Sequence, residues 1–256
     1  MINNLKAQMP KVKNILKANP GKKIEIEVDG QIFTRYPIQT EVFKKGDDYA
    51  IKIGNIIKSQ LSNSKLIPNN SKWYVIVSEK IVAISQGRSY FIKDIKPSWW
   101  AKTLSNSVIK TPYGIGLGSP WTMQLAIQEV GLPRILLAAV LSVITKPFGF
   151  KGIFYHIAGR EAAAIDGPTS YSLYPSNVSA KLAPKDPQKA AEKIAESIKF
   201  QIVHSNFGGV VIIDANDLGR NVLGNATDKS DLFFEKVMRD NPMGQGHEGT
   251  PVVIVT

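Results

Sequence analysis

The 256-residue chain contains no cysteine. That excludes a disulfide framework, a zinc–thiolate centre and a cysteine nucleophile. Histidine is scarce too, with three in the chain. His156 and His204 lie among apolar neighbours and are expected to be structural. The Gly-rich stretch "GIGLGSP" lacks the Lys-Ser/Thr ending of a Walker A loop, and no Walker A occurs elsewhere. A nucleotide site would therefore be of another type. Internal repeats and low-complexity linkers are also missing. The longest apolar stretch is "ILLAAVLSVI", Ile135 to Ile144. As a helix it rises only ~15 Å, about half a bilayer core. Pro133 sits at a plausible helix start and Lys146-Pro147 ends the run. A buried core helix is expected here, and no membrane span. The N-terminus lacks an apolar signal region, so a cytoplasmic location is expected.

What the chain has in excess is positive charge, a net +11. Such a balance suits an anionic partner, whether nucleic acid, an acidic membrane surface or a multiply charged small molecule. Residues 1–20 read as a basic amphipathic helix, with Leu5, Met9, Val12 and Leu16 at helical spacing. No aromatic residue interleaves with its lysines, which argues against single-strand nucleic-acid binding. A non-catalytic nucleic-acid binder is kept as the rival class, but no nucleic-acid partner is expected. Apolar content (43%) and charged content (21%) are those of an ordinary globular protein.

"KKIEIEVDGQIFTRYPI" reads as a hairpin turning at Asp29-Gly30. "KWYVIVSEKIVAIS" begins as a buried strand. "TPYGIGLGSPWTMQLAIQEVG" is a Gly-rich loop followed by a helix. "GIFYHIAGREAAAID" looks like two strands around Gly159-Arg160. "DPQKAAEKIAESIKF" is a helix, with Asp186 as its N-cap and Pro187 first. Ala190, Ala191, Ile194 and Ile198 form its buried face. "GGVVIIDANDLGRN" is an apolar strand opening into an acidic loop. "DLFFEKVMRD" is a helix and "TPVVIVT" a strand. The expected class is α+β, with mixed and antiparallel sheets and packed helices.

Three polar loops adjoin apolar strands: "IDGPTS" after Ile165, "DANDLGR" after Ile213 and "MGQGHEG" before Val252. Loops on rigid strand ends carry function disproportionately. These three offer Asp166, Asp214, Asn216, Asp217, Gln245, His247 and Glu248. An oxygen-rich set of this kind suits magnesium or manganese. Gly244, Gly246 and Gly249 would let backbone amides approach a phosphate. Each loop alone also reads as an ordinary turn.

Taken in order, "YPIQTEVFKKGDD", "VSEKIVAISQGR", "AIDG", "SNV", "LAPKDPQKAAEKI", "DANDLGR" and "MGQGHEGTPVVIV" resemble the segments of the coenzyme F420-0:γ-glutamyl ligases. These enzymes add glutamate to a deazaflavin coenzyme precursor. The resemblance covers about residues 36–256 and implies that family's fold. It makes residues 1–35 an N-terminal helix-and-hairpin extension and 36–256 the catalytic region.

By this resemblance, Asp166, Asn216, Asp217 and Gln245 fall on metal positions, and Asp214 stands near as a substitute ligand. The nucleotide positions are Tyr36, Pro37, Ile38, Gln39, Asn177, Met243, Gly244, Gln245, Gly246, His247, Glu248, Gly249 and Thr250. Ile84 stands where the family carries a nucleotide-contacting lysine. The resemblance assigns no catalytic side chain. It implies one or two Mg2+ or Mn2+ ions, GTP or ATP as co-substrate, L-glutamate, and F420-0 or tetrahydrofolate as acceptor. It also implies a homodimer.

Overall fold

The computed structural model describes residues 17–63, 71–108, 116–150, 152–168, 174–202, 206–216, 219–244 and 246–256. In chain order its first elements are β1 (Glu25–Val28), β2 (Gln31–Ile38), α1 (Tyr49–Asn63), β3 (Trp73–Ser78), α2 (Glu79–Ser85), β4 (Ser89–Phe91), α3 (Trp99–Asn106), α4 (Pro120–Val130) and α5 (Leu132–Thr145). There follow α6 (Ile153–Ala158), α7 (Arg160–Ala163), β5 (Ser179–Lys181), α8 (Pro187–Gln201), β6 (Phe207–Ala215), β7 (Arg220–Thr227), α9 (Asp231–Val237) and β8 (Val252–Val255). The class is α+β, as expected. Of the basic helix expected over 1–20, residues 1–16 lie outside the described residues.

Two compact units emerge. One comprises Met1–Phe43, Asp47–Ile81 and Asp186–Thr256, the other Lys44–Gly46 and Val82–Lys185. The division expected between residues 35 and 36 falls inside β2. Arg35 to Ile38 of that strand pair with Val255 to Val252.

The first unit is built on a mixed sheet of order β1-β2-β8-β3-β6-β7. Its centre explains the unbroken apolar runs "WYVIV", "VVII" and "VVIV". A strand covered on both faces has no solvent side to make polar. Tyr74, Ile76, Val211, Ile213, Val253 and Val255 share one core with Phe234 and Val237 of α9. Their alternates Val75, Val77, Val210, Ile212, Val252 and Ile254 are fully buried as well. α8 packs on β6 and β7, and α1 packs on α8. The α8 residues Ala190, Ala191, Ile194 and Ile198 are buried as the spacing predicts. β3 and β6 run parallel, and the other pairings of this sheet are antiparallel. The hairpin turns at Asp29 and Gly30, whose φ values of 51° and 79° are those of a tight two-residue connection.

The second unit is helical, with a two-stranded β4-β5 sheet. Its core gathers Leu117, Met123, Leu125, Ile135, Ala158, Ala162, Ile165 and Leu182, among others. Two expectations are corrected here. "GIFYHIAGREAAAID" forms α6 and α7 instead of two strands. The alanines favour helix, and Ala158 at the end of α6 and Ala162 in α7, on either side of the break at Gly159, both enter the core. α5 is a helix but only half a core element. Ile135 and Ala138 are buried, while Leu137, Val140, Val143 and Ile144 are exposed.

Among the described residues no single helix is long and apolar enough to cross a membrane. The stretches Pro120–Val130 and Leu132–Phe148 pass that test only as a pair, bent by 116°.

Candidate active site

In the first unit the ends of β2 and β8 bring two predicted segments together. Ile38 pairs with Val252, and beyond them the Thr40 amide donates to the Gly249 carbonyl at 3.0 Å. On the other side of β8, the Ser78 amide donates to the Pro251 carbonyl at 2.8 Å. The Tyr36–Gln39 stretch and the 243–250 loop are therefore fastened to one another by backbone. Pro37 and Ile38 are buried in the sheet, whereas Gln39 is exposed.

The root of the 243–250 loop rests on a fully buried arginine. The Arg35 guanidinium donates to the Val237 carbonyl at 2.9 Å, to the Lys23 carbonyl at 2.6 Å and to both Asp240 oxygens. Burial pushes the Asp240 carboxyl up. The hydrogen bonds and charge of Arg35 outweigh that and hold it below its ordinary value. Next to it, Asn241 is fully buried and donates from Nδ2 to the Gly244 carbonyl at 3.1 Å. Asn19 reaches across the chain and donates to the Pro242 carbonyl and to Thr250 Oγ1, both at 2.7 Å. Thr250 Oγ1 donates in turn to the Met243 carbonyl at 2.7 Å.

The loop interior differs from a row of amides open to a phosphate. The Gly244 amide donates to the Asn241 carbonyl at 3.0 Å. The Gly246 amide donates to Glu248 Oε2 at 2.6 Å. Gly244 is required where it stands: φ is +74° and an added Cβ would lie 2.6 Å from Glu248 Cδ. Met243 lies buried in the sheet core, and Thr250 is buried with its hydroxyl engaged. His247 is exposed. Gln245 and Asp217 lie outside the described residues.

A cleft of about 300 Å³ adjoins this edge. Gln39, Thr40 and Glu41 line one wall, and Lys52, Asn55, Ile56, Ser59 and Gln60 of α1 line the other. Lys52 Nζ is held by Asp47 at 2.8 Å and the Val42 carbonyl at 3.2 Å. α1 is fixed at its start by Asp48, whose Oδ1 accepts from the Ala50 and Ile51 amides at 3.1 and 3.2 Å. Burial raises the Asp48 carboxyl, but those amides and Lys193 bring it below its ordinary value. The sequence reading missed this wall. Its signal was the spacing of Lys52, Asn55, Ser59 and Gln60, which puts polar groups on one face of a helix.

Asp214 and Asn216 flank the turn between β6 and β7. The Asn216 amide donates to the Gly219 carbonyl at 2.9 Å, and Asn216 Oδ1 accepts from the Gly219 amide at 2.9 Å. Its side-chain oxygen is engaged in the turn.

Asp166 and Asn177 belong to the second unit. Asp166 was expected at a strand end; the segment before it is α7, because the alanine-rich stretch is helical. Asp166 forms an isolated antiparallel bridge with Lys181. Lys181 Nζ stands 3.3 Å from Asp166 Oδ2, with the lysine side chain 5% exposed and the aspartate 56%. Asn177 Oδ1 is buried and accepts no hydrogen bond from the described residues, so a bound donor would relieve it. Ile84 is half-buried on the helix α2. His156 was expected to be structural; it is exposed on α6, whose apolar residues turn other faces to the core.

Among the described residues no three His, Asp or Glu side chains converge. The donor chemistry of the predicted set still fits a hard divalent cation, since every member offers oxygen. Asp166 also keeps most of its carboxylate open to an incoming ion.

A family model described as F420-0:γ-glutamyl ligase matches residues 37–219, well over half of the chain. The chain belongs to the F420-0:γ-glutamyl ligase family. The match begins at Pro37, takes in the cleft, α1, Asp166, Asn177 and the β6–β7 turn, and ends at Gly219 before the 243–250 loop. No curated protein matches the chain. Membership supports an enzyme that forms γ-glutamyl amide bonds, with glutamate and F420-0 as the family's substrates.

Proposed function

We propose that this family member is a nucleotide- and divalent-metal-dependent ligase. It joins the amino group of L-glutamate to a carboxylate of F420-0 through an acyl phosphate. One observation carries the nucleotide part of the reading. The cleft walled by Gln39, Thr40 and α1 shares its edge with the 243–250 loop through the Thr40–Gly249 bond. Three amide side chains, two hydroxyls and a lysine line it, together with Glu41 and Ile56. That supply of donors and acceptors suits a base or ribose.

The chemistry needs two anions brought together, the acceptor carboxylate and the γ-phosphate of GTP or ATP. Asp166, Asp217 and Gln245 would hold one or two Mg2+ or Mn2+ ions, with Asp214 and Asn216 as further candidates. Such ions clamp phosphates and neutralise developing charge. Attack of the carboxylate on the γ-phosphorus releases the nucleoside diphosphate. Attack of the glutamate amine on the acyl phosphate then releases phosphate and forms the amide. The net positive charge of the chain favours capture of all three anionic substrates. We propose a homodimer as well, on the strength of the family alone; light scattering tests it.

The deciding assay follows transfer of labelled glutamate to F420-0 and, separately, to tetrahydrofolate, with GTP or ATP consumption measured in parallel. Transfer to F420-0 alone is expected. Gln245→Ala is expected to weaken nucleotide or metal binding about 10-fold or more, and His247→Ala to cost less. Full activity in Gln245→Ala with none in His247→Ala would overturn the assignment of this loop. Transfer to tetrahydrofolate alone would overturn the acceptor.

A further inference from the structure

Among the described residues, the second unit has an apolar face that none of them covers. Leu137, Val140 and Ile144 follow one another along α5 at helical spacing, and all are exposed. Val143 beside them is 70% exposed, and Phe148 and Phe150, just past the helix, are 76% and 62% exposed. The opposite side of α5 is anchored in the core through Ile135 and Ala138. α5 is therefore fixed to the body with its apolar side outward. A contiguous exposed surface of this kind marks an interaction site.

The charge pattern says what covers it. From Gly131 to Arg160 the chain carries Arg134, Lys146, Lys151 and Arg160 and no Asp or Glu. Arg134 and Lys146, at the two ends of α5, are exposed. A second copy docking here would bring the same excess of positive charge, with Glu161 already beside Arg134. Residues 1–16 are no better matched, since they carry Lys6, Lys11 and Lys13 and likewise no acid. An anionic lipid surface offers both requirements at once: an acyl boundary for the apolar side chains and headgroups for the cations.

We infer that α5 and the Phe148–Phe150 segment lie on an anionic membrane surface and hold the protein there reversibly. The helix lies in the interface and does not cross it. Its buried side belongs to the core of the second unit. Phe148 and Phe150 enter the headgroup boundary beside Lys146, whose stem can run along them while its ammonium meets a phosphate.

The test is co-sedimentation of the full chain with phosphatidylcholine vesicles, with and without phosphatidylglycerol. The wild type is expected to sediment with the anionic vesicles and to stay in solution with the neutral ones. Combining Val140→Ser, Val143→Ser and Phe148→Ser should lower binding at least about tenfold, by removal of apolar contact. Lys146 is exposed, and Lys146→Glu should lower binding about fivefold or more. Phe200→Ser, a change at an exposed apolar residue of the first unit, should bind as wild type. The inference fails if the wild type ignores anionic vesicles, or binds neutral ones equally. It fails too if the triple variant or Lys146→Glu binds undiminished. If vesicles are not bound and the triple variant dissociates a dimer seen by light scattering, the face belongs to a second copy.

Discussion

Replacing Arg35 with methionine keeps a long apolar stem and removes every donor of the guanidinium. The structure sets the cost. Carbonyls of Val237 and Lys23 lose donors at 2.9 and 2.6 Å, the Ile24 carbonyl loses one at 3.4 Å, and Asp240 loses its counter-charge. Removing one partner of a buried ion pair costs about 3–5 kcal/mol. The Asp240 side chain is one third exposed and can turn to water, so the lower end applies, about 3 kcal/mol. The effect belongs to the first unit, so it is best read locally by hydrogen exchange. Amides of β2 and β8 that exchange through opening of this unit should speed up roughly a hundredfold. Those of α4 and α5 should be unchanged. Adding Asp240→Leu to Arg35→Met should recover part of the loss, because the stranded carboxylate goes too. A change of less than about fivefold in β2 and β8, with Arg35→Met folded, would refute the reasoning.

The same pair predicts a pH dependence. The folded Asp240 carboxyl titrates below its ordinary 3.8, so its contribution is fully present above that value and is lost as pH falls through the lower, folded value. The stability gap between wild type and Asp240→Asn, measured by urea unfolding, should be level at neutral pH and shrink on acidification below 3.8. Glu248→Gln keeps an oxygen near the Gly246 amide but removes its charge. It should destabilise the loop by about 1 kcal/mol, the difference between a charged and a neutral hydrogen bond, detected as faster exchange in 246–250 with the β8 core unchanged. Asp166→Asn should abolish the calorimetric signal for Mn2+ added with GTP. Unaltered binding would remove Asp166 from the metal set.

The parts of the fold legible in the sequence were those set by local pattern. The Asp29-Gly30 turn, the apolar runs of β3, β6 and β8, and the buried stripe of α8 depend on residues a few positions apart. α6 and α7 were misread because Ile, Phe and Tyr suggest a strand, while the burial that holds Ala158 and Ala162 in place comes from a core assembled elsewhere in the chain. Arg35 could not have been found that way. Its meaning lies in Asp240 and Val237, some two hundred residues along, and a lone arginine in a strand looks like a solvent-facing side chain. The site was legible as a set of motifs. The wall that α1 adds to it was missed, because no motif covers that helix beyond its Asp47-Asp48 start and its only signal was the spacing of its polar residues. In the 243–250 loop the expectation that Glu248 could accept backbone hydrogen bonds is met at the Gly246 amide.

The place of β8 also governs how the first unit can assemble. It lies between β2 and β3, yet it follows every other strand in the chain. Among the described strands, the β1–β2 hairpin is hydrogen-bonded to the rest of the sheet through β8. Until Val252–Val255 is in place, β2 and β3 each expose an open edge, and the hairpin has no sheet to join. Such long-range closure slows folding and leaves nascent edges open to foreign strands. A cell making this chain would need to shield it during synthesis, and a proteolytic cut between β8 and α9 would loosen the hairpin as well as the strand.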